Sequence, residues 1–174
     1  MGRTKALVEV RGVPMGRRVA SALEGAGCST VVAYGGDPAE LAPLGVPVLP
    51  DRHPAAGPLG AIVGLIDLFG GDDAAGGILV VACDLAYLDA ADLEPLVAAN
   101  RARPDADVVL AVGVRREPTC AIWRPAVRSR LRSRFDGGER AIHRVLDELE
   151  VVEVPVAAAA LRNINTPDDL DRYA

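Results

Sequence analysis

The 174-residue sequence lacks the features that mark several classes of protein. It has only three cysteines, Cys28, Cys83 and Cys120. Their odd number and wide spacing fit neither a disulfide framework nor a C-x-x-C metal clamp, so we interpret them as small buried hydrophobic residues. No apolar stretch reaches the ~20 residues that span a bilayer, and the first residues do not resemble a signal peptide. We therefore predict a cytoplasmic protein that does not bind membranes.

Clusters of basic residues are also missing. The formal net charge is −5, and the basic residues are scattered along the chain. This distribution argues against an electrostatic surface for nucleic acid or for an anionic membrane. We expect no nucleic-acid partner, whereas a small anionic ligand is compatible with the charge.

Lysine is nearly absent from the sequence. Lys5 is the one lysine among nineteen basic residues, and the other eighteen are arginine. An ammonium group is a compact point charge that binds phosphate oxygens without the planar fork of a guanidinium. A phosphate site that needs this shape would retain a lysine in an arginine-rich background. Chance retention near a terminus explains the same observation, and composition alone does not separate the two.

Short apolar runs alternate with amphipathic segments, which predicts strands alternating with helices. Such alternation indicates an α/β fold, a single doubly wound domain with a mostly parallel sheet and helices on both faces. Repeats and linkers are lacking. The predicted strands are 6–10, 29–36, 45–50, 77–84, 107–114, 119–123 and 151–156. The predicted helices run from Pro14 to Gly27, over 57–71, from Asp89 as N-cap to Pro104, over 126–135 and 139–149, and onward from Thr166 as N-cap.

Asp84 is the strongest candidate for a functional residue. It ends the continuously apolar run "GILVVACD", which predicts a central strand that is buried on both faces and emerges at the ligand-binding edge of an open sheet. A carboxylate there is a suitable hard oxygen ligand for Mg²⁺. The alternative is an aspartate that caps the following turn.

Two further segments carry polar groups in loops. "PDRHPAAGPLGA" (50–61) places Asp51 and two glycines around the start of a helix, where free N–H groups attract anions. We interpret His53 in this segment as a solvated loop residue without a role. "NIN" contains Asn163 and Asn165, whose amides suit a polar heterocyclic ligand but could equally satisfy loop backbone.

These segments together resemble one known family. The series "MGRTKALVEVRGVPM", "PDRHPAAGPLGAI", "VVACDLAYL", "EPTCAIWRPAV", "GERAIHRVLDEL" and "NINTPDDL" is similar, in the same order, to the molybdenum-cofactor guanylyltransferases. The resemblance implies a nucleotide-diphospho-sugar-transferase-like fold. It also implies transfer of GMP from GTP, with Mg²⁺, to the terminal phosphate of molybdopterin, and makes other proteins of molybdenum-cofactor biosynthesis candidate partners.

The resemblance also implies roles for particular residues. Lys5 corresponds to the family's phosphate-binding lysine, Asp51 to its nucleotide-contacting aspartate and Asp84 to its metal-binding aspartate. Asn163 and Asn165 match a pair near the pterin. Gly36 stands where the family often has a guanine-contacting asparagine, so the resemblance supports guanine specificity less firmly than the reaction class.

The family's first strand and its glycine-rich loop would precede Met1. On this resemblance we expect "MGRTK" to be the second half of a phosphate-binding loop, and the numbered chain to be less active and less stable than a form extended upstream. Two alternatives remain at this stage. One is a related nucleotidyltransferase that uses CTP or another acceptor, and the other is a non-catalytic cofactor-binding relative with a decayed nucleotide site.

Overall fold

The computed structural model describes residues 4–71, 76–165 and 169. Strands and short helices alternate along the chain, as the apolar pattern predicts. The strands are β1 (Glu9–Val10), β2 (Val13–Pro14), β3 (Ala33–Tyr34), β4 (Val48–Leu49), β5 (Ile78–Val81), β6 (Val108–Val112), β7 (Arg116–Trp123) and β8 (Val151–Pro155). The helices are α1 (Met15–Gly25), α2 (Pro38–Leu41), α3 (Gly57–Phe69), α4 (Ala90–Ala102), α5 (Arg128–Asp136) and α6 (Ile142–Leu146). Thr166 and Pro167, the predicted start of the last helix, lie outside the described residues.

The chain divides into two compact units. The first comprises Met1–Pro50, Val81–Glu94 and Val156–Ala174, and the second comprises Asp51–Val80 and Pro95–Pro155. Within the described residues, no helix has the length and apolar character needed to cross a membrane.

The first unit contains two small strand pairs and helix α1. β1 and β2 form an antiparallel hairpin with Val10 opposite Val13. Its two turn residues both have positive φ, 54° at Arg11 and 74° at Gly12, and this backbone suits the right-handed twist of a two-residue hairpin. β3 and β4 pair in parallel, as predicted for these segments. A small core joins α1 to later segments through Val10, Met15, Ala86 and Ile164.

The second unit is built on a four-stranded sheet in the order β5-β7-β6-β8. β6 pairs in parallel with β8 and antiparallel with β7, so the sheet is mixed. Helices α3, α5 and α6 pack against it and bury a continuous apolar core. That core contains Leu59, Ile62, Val63, Ile66, Val108, Leu110, Ala121, Trp123, Val127, Leu131, Phe135, Val145 and Leu146. The α/β class predicted from the sequence is confirmed.

One predicted boundary in this sheet is wrong. "RREP" was expected to separate two strands, but β7 begins at Arg116 and includes most of that segment. A tight turn, in which the Gly113 N–H donates to the Arg115 carbonyl at 3.1 Å, joins β6 directly to β7. Because the connection contains no crossover helix, the two strands must run antiparallel. The charged residues mark a hairpin end rather than a loop.

Strand β5 and two of the three cysteines are less buried than the sequence predicts. β5 was expected to be buried on both faces, yet all four of its residues are half-buried. Among the cysteines, Cys120 is buried, whereas Cys28 and Cys83 are half-buried, and all three are free thiols.

Candidate active site

Asp84 lies in a turn three residues after β5 ends. The turn is tied to the C-terminal segment of the first unit, because the Ile164 N–H donates to the Asp84 carbonyl at 3.0 Å. The next two residues, Leu85 and Ala86, are completely buried. The Asp84 side chain is 20% exposed, so its carboxylate reaches solvent.

The structure brings Lys5 and Asn165 to this carboxylate. Lys5 begins a short 3₁₀ turn (Lys5–Leu7). Its Nζ donates to Asp84 Oδ2 at 2.8 Å and to Asn165 Oδ1 at 2.6 Å. Asp84 and Asn165 lie 79 and 160 positions after Lys5 in the chain. Each of the three residues is a separate candidate in the sequence, and the fold brings them into one polar cluster. We call Lys5, Asp84 and Asn165 the lysine cluster.

The neighbouring thiol is not activated by this cluster. Burial raises the pKa of Cys83 above its ordinary value, and the adjacent Asp84 carboxylate raises it further, while Lys5 lowers it only in part. A thiol with a raised pKa is protonated at neutral pH and is a poor nucleophile. Cys83 is therefore not a candidate for covalent catalysis.

The cluster fits a divalent cation of the hard type. The Asp84 carboxylate already accepts one positively charged group, the Lys5 ammonium, at 2.8 Å. Hard cations such as Mg²⁺ prefer such oxygen ligands and are often held by one or two carboxylates, with substrate phosphates and waters completing the shell. In the described ranges, His, Cys, Asp and Glu form no group of three that could enclose a metal. A cation here would therefore depend on ligands from the substrate.

Gly36, which stands where the resembling family often has an asparagine, adopts a backbone conformation that favours glycine. Its φ is +88°, in the left-handed region, and a Cβ built on it would lie 2.6 Å from Leu41 Cδ1. Leu41 is buried. Any base recognition at this position must therefore use backbone N–H and C=O groups.

Asp51 belongs to the second unit, at the start of the loop that leads into α3. Its Oδ1 accepts the His53 N–H at 2.8 Å, an Asx-type turn that stiffens the loop. The loop packs closely on the helix start, where a Cβ at Gly60 would lie 2.6 Å from the Ala56 Cβ. The expectation of a solvated His53 is wrong: the residue is half-buried, and its ring contacts Phe135 with centroids 4.7 Å apart.

Two residues of the "NIN" segment differ in their surroundings. Asn163 is half-buried and Asn165 is exposed, with the buried Ile164 between them. The Asn165 backbone N–H donates to Asp169 Oδ2 at 2.9 Å. Only Asn165 of the pair joins the lysine cluster.

Sequence reasoning missed Arg18, which also supports this region. Its Nε donates to the Ala86 carbonyl at 2.7 Å, two residues after Asp84, and so links α1 to the turn that presents the carboxylate. An arginine on a helix surface gives no sequence signal for such a contact, because its partner is a backbone oxygen 68 residues away.

Comparisons with known proteins support one family. Residues 1–154 match the family model described as the MobA-like NTP transferase domain. The chain is 36% identical over 174 residues to the molybdenum cofactor guanylyltransferase of Rhodobacter capsulatus, covering 99% of this chain and 87% of the relative. It is 32% identical over 147 residues to the protein of the same name from Mesorhizobium japonicum, covering 80% and 71% of the two chains.

Solved structures share the fold at lower identity. Molybdopterin-guanine dinucleotide biosynthesis protein A from Archaeoglobus fulgidus aligns with a TM-score of 0.75 at 24% identity, covering 99% of this chain and 89% of that one. The manganese complex of Rv0371c from Mycobacterium tuberculosis aligns with a TM-score of 0.70 at 19% identity, covering 99% and 92%. At these identities the likeness concerns the fold alone.

Proposed function

We propose, because the chain belongs to the MobA-like NTP transferase family, that it transfers GMP from GTP to the terminal phosphate of molybdopterin and releases pyrophosphate. The observation that carries the proposal is the lysine cluster: the one lysine of the sequence lies 2.8 Å from the carboxylate expected to bind metal. The 36% identity to a molybdenum cofactor guanylyltransferase supports the choice of nucleotide and acceptor.

The reaction is an in-line displacement at phosphorus. A terminal phosphate oxygen of molybdopterin attacks the α-phosphorus of GTP, a new P–O–P bond forms, and the bond between the α-phosphorus and the bridging oxygen breaks. Pyrophosphate leaves with the electron pair of that bond. Such a step needs little covalent help from the protein, so positioning and charge compensation carry the catalysis.

Each predicted site residue has a role in this proposal. The ammonium of Lys5 neutralises negative charge on the triphosphate, and Asp84 holds a magnesium ion, which when bound offsets charge on the reacting phosphates. Asp51 contacts the nucleotide through Oδ2, because its Oδ1 accepts the His53 N–H. Asn163 and Asn165 contribute to the pterin side, and the backbone around Gly36 faces the base.

The identity of the base is the part of the proposal that needs the sharpest test. Gly36 has no side chain to pair with guanine, so GTP and CTP should be compared directly, with molybdopterin as the acceptor and product formation followed by chromatography. We expect a clear preference for GTP. Equal rates with the two nucleotides would favour a nucleotidyltransferase without guanine specificity, and no product with either would favour a non-catalytic relative.

Asp84→Asn tests the proposed metal role. We expect the folded protein to keep its melting temperature but to lose GMP transfer by about a hundredfold or more, because an amide is a weaker ligand for a hard cation at the reacting centre. Asp89→Asn, a change of the same type at an exposed helix start, is the matched control and should leave turnover intact. Unchanged turnover of Asp84→Asn at saturating Mg²⁺ would remove Asp84 from the metal site.

A further inference from the structure

Lys5 is held by two oxygen atoms of different charge, and the neutral one comes from Asn165. The distances from Nζ are 2.8 Å to the Asp84 carboxylate and 2.6 Å to the Asn165 amide oxygen. An ammonium group has three N–H donors. These two contacts leave one donor for a ligand, so together they set the direction in which that donor points.

We propose that Asn165 is a positioning residue for the nucleotide phosphates, acting through Lys5. The inference rests on the proposed function and assigns Asn165 to the nucleotide side of the reaction, in addition to the pterin side suggested by sequence resemblance. Its amide oxygen orients the Lys5 ammonium toward the triphosphate.

The Asn165 amide oxygen is neutral, and this explains why Asp84 alone would not hold the Lys5 ammonium in position during the reaction. Asp84 would hold the divalent cation in the proposed reaction, and its carboxylate would then be shared between that cation and the Lys5 ammonium, two positive charges that repel each other. The Asn165 oxygen carries no formal charge and is not committed to the metal. It can keep the ammonium in place without cancelling the positive charge that the phosphates require.

Asn165 is itself held in place through its own backbone N–H and through the residue before it. Its N–H donates to Asp169 Oδ2, and the preceding residue, Ile164, is buried against Val10, Met15 and Ala86. The Ile164 N–H also donates to the Asp84 carbonyl. The segment 164–165 therefore ties together the backbones of the two residues that hold Lys5, and the lysine side chain, which is 38% exposed, gains a defined position.

The test measures phosphate binding without pterin. Inorganic tripolyphosphate with saturating Mg²⁺ is titrated by calorimetry into the full chain and into Asn165→Ala. We expect the variant to bind about tenfold more weakly, the scale of one hydrogen bond to a charged group. Glu94→Ala, an exposed truncation in the same unit but outside the site, is the control and should bind tripolyphosphate within about twofold of the parent.

A double-mutant cycle shows whether the effect passes through Lys5. In a Lys5→Met background, Asn165→Ala should cause no further loss of tripolyphosphate affinity, because the side chain that it orients is gone. An additional tenfold loss in that background, or an unchanged affinity of the single variant, overturns the proposal. So does a parent chain that does not bind tripolyphosphate.

The proposed function can fail separately from this inference. If the parent transfers no GMP but the cycle still shows coupling between Lys5 and Asn165, the guanylyl assignment is wrong and the positioning role stands. If GMP transfer is robust but Asn165→Ala affects only the KM for molybdopterin, Asn165 acts on the pterin alone.

Discussion

At the scale of single residues, Gly36 is constrained by both its backbone and its neighbour. A non-glycine residue at φ +88° is strained because its Cβ crowds the backbone. Here a Cβ would also enter the space of the Leu41 side chain. Since Leu41 is buried, it has little room to move away. A side chain at this position is therefore costly to the stability of this chain.

Two glycines with the same φ allow these effects to be separated. Gly27 also has φ +88°, but a Cβ on it would meet nothing within 4 Å. We expect Gly27→Ala to destabilise the protein by about 1 kcal/mol from backbone strain, and Gly36→Ala by about 1–3 kcal/mol more because Leu41 must repack. Urea unfolding of both variants measures the difference. Equal losses would show that Leu41 yields without cost.

At the scale of elements, helix α4 begins with a reciprocal pair of hydrogen bonds. The Asp92 N–H donates to Asp89 Oδ1, and the Asp89 N–H donates to Asp92 Oδ2, both at 3.1 Å. This confirms Asp89 as the N-cap expected from the sequence. The contacts satisfy two N–H groups at the helix start, and both carboxylates lie at the positive end of the helix dipole. The cap has added importance because Pro95, inside α4, supplies no N–H to the helix ladder.

Removing the cap should weaken the helix measurably. Asp89→Ala is expected to lower the free energy of unfolding by about 1 kcal/mol, whereas Glu94→Ala, at an exposed position of the same helix, should stay within about 0.5 kcal/mol of the parent. Thermal melting followed by circular dichroism compares the two. A loss no larger for Asp89→Ala than for Glu94→Ala would mean that the two hydrogen bonds contribute nothing net.

At the scale of the whole molecule, each unit has its own hydrophobic core. The core of the second unit can be followed by the fluorescence of a tryptophan. Trp123 is the one tryptophan of the sequence, and it is fully buried in the second unit among the residues of the sheet and helices α3 and α5. Its fluorescence therefore follows the loss of that core. Leu110, on β6 in the same core, is also fully buried.

Truncating this core should be costly, and the same strand region provides a control. We expect Leu110→Ala to lower the free energy of unfolding, followed by tryptophan fluorescence, by about 2–5 kcal/mol, because the side chain leaves a cavity. Val114→Ala, at the end of the β6–β7 hairpin where the side chain is 94% exposed, should change it by less than about 0.5 kcal/mol. A small effect of Leu110→Ala would mean that the core collapses readily around the missing atoms.

The sequence by itself determined the α/β class, the order of most elements and the candidates for the site. Apolar periodicity and capping residues act over a few positions, so α1, α3 and the Asp89 cap could be predicted from local physics. The single lysine and the carboxylate after an apolar strand were visible for the same reason. These signals need no knowledge of distant partners.

Only the tertiary structure decided which of these residues meet. Lys5 contacts Asn165 across 160 positions, and no local pattern encodes that approach. The direction of β7, the partial burial of β5 and the packing of His53 on Phe135 likewise depend on neighbours brought together by folding. Hydrogen bonds and side-chain packing act over a few ångströms in space, whereas sequence patterns report only on proximity along the chain.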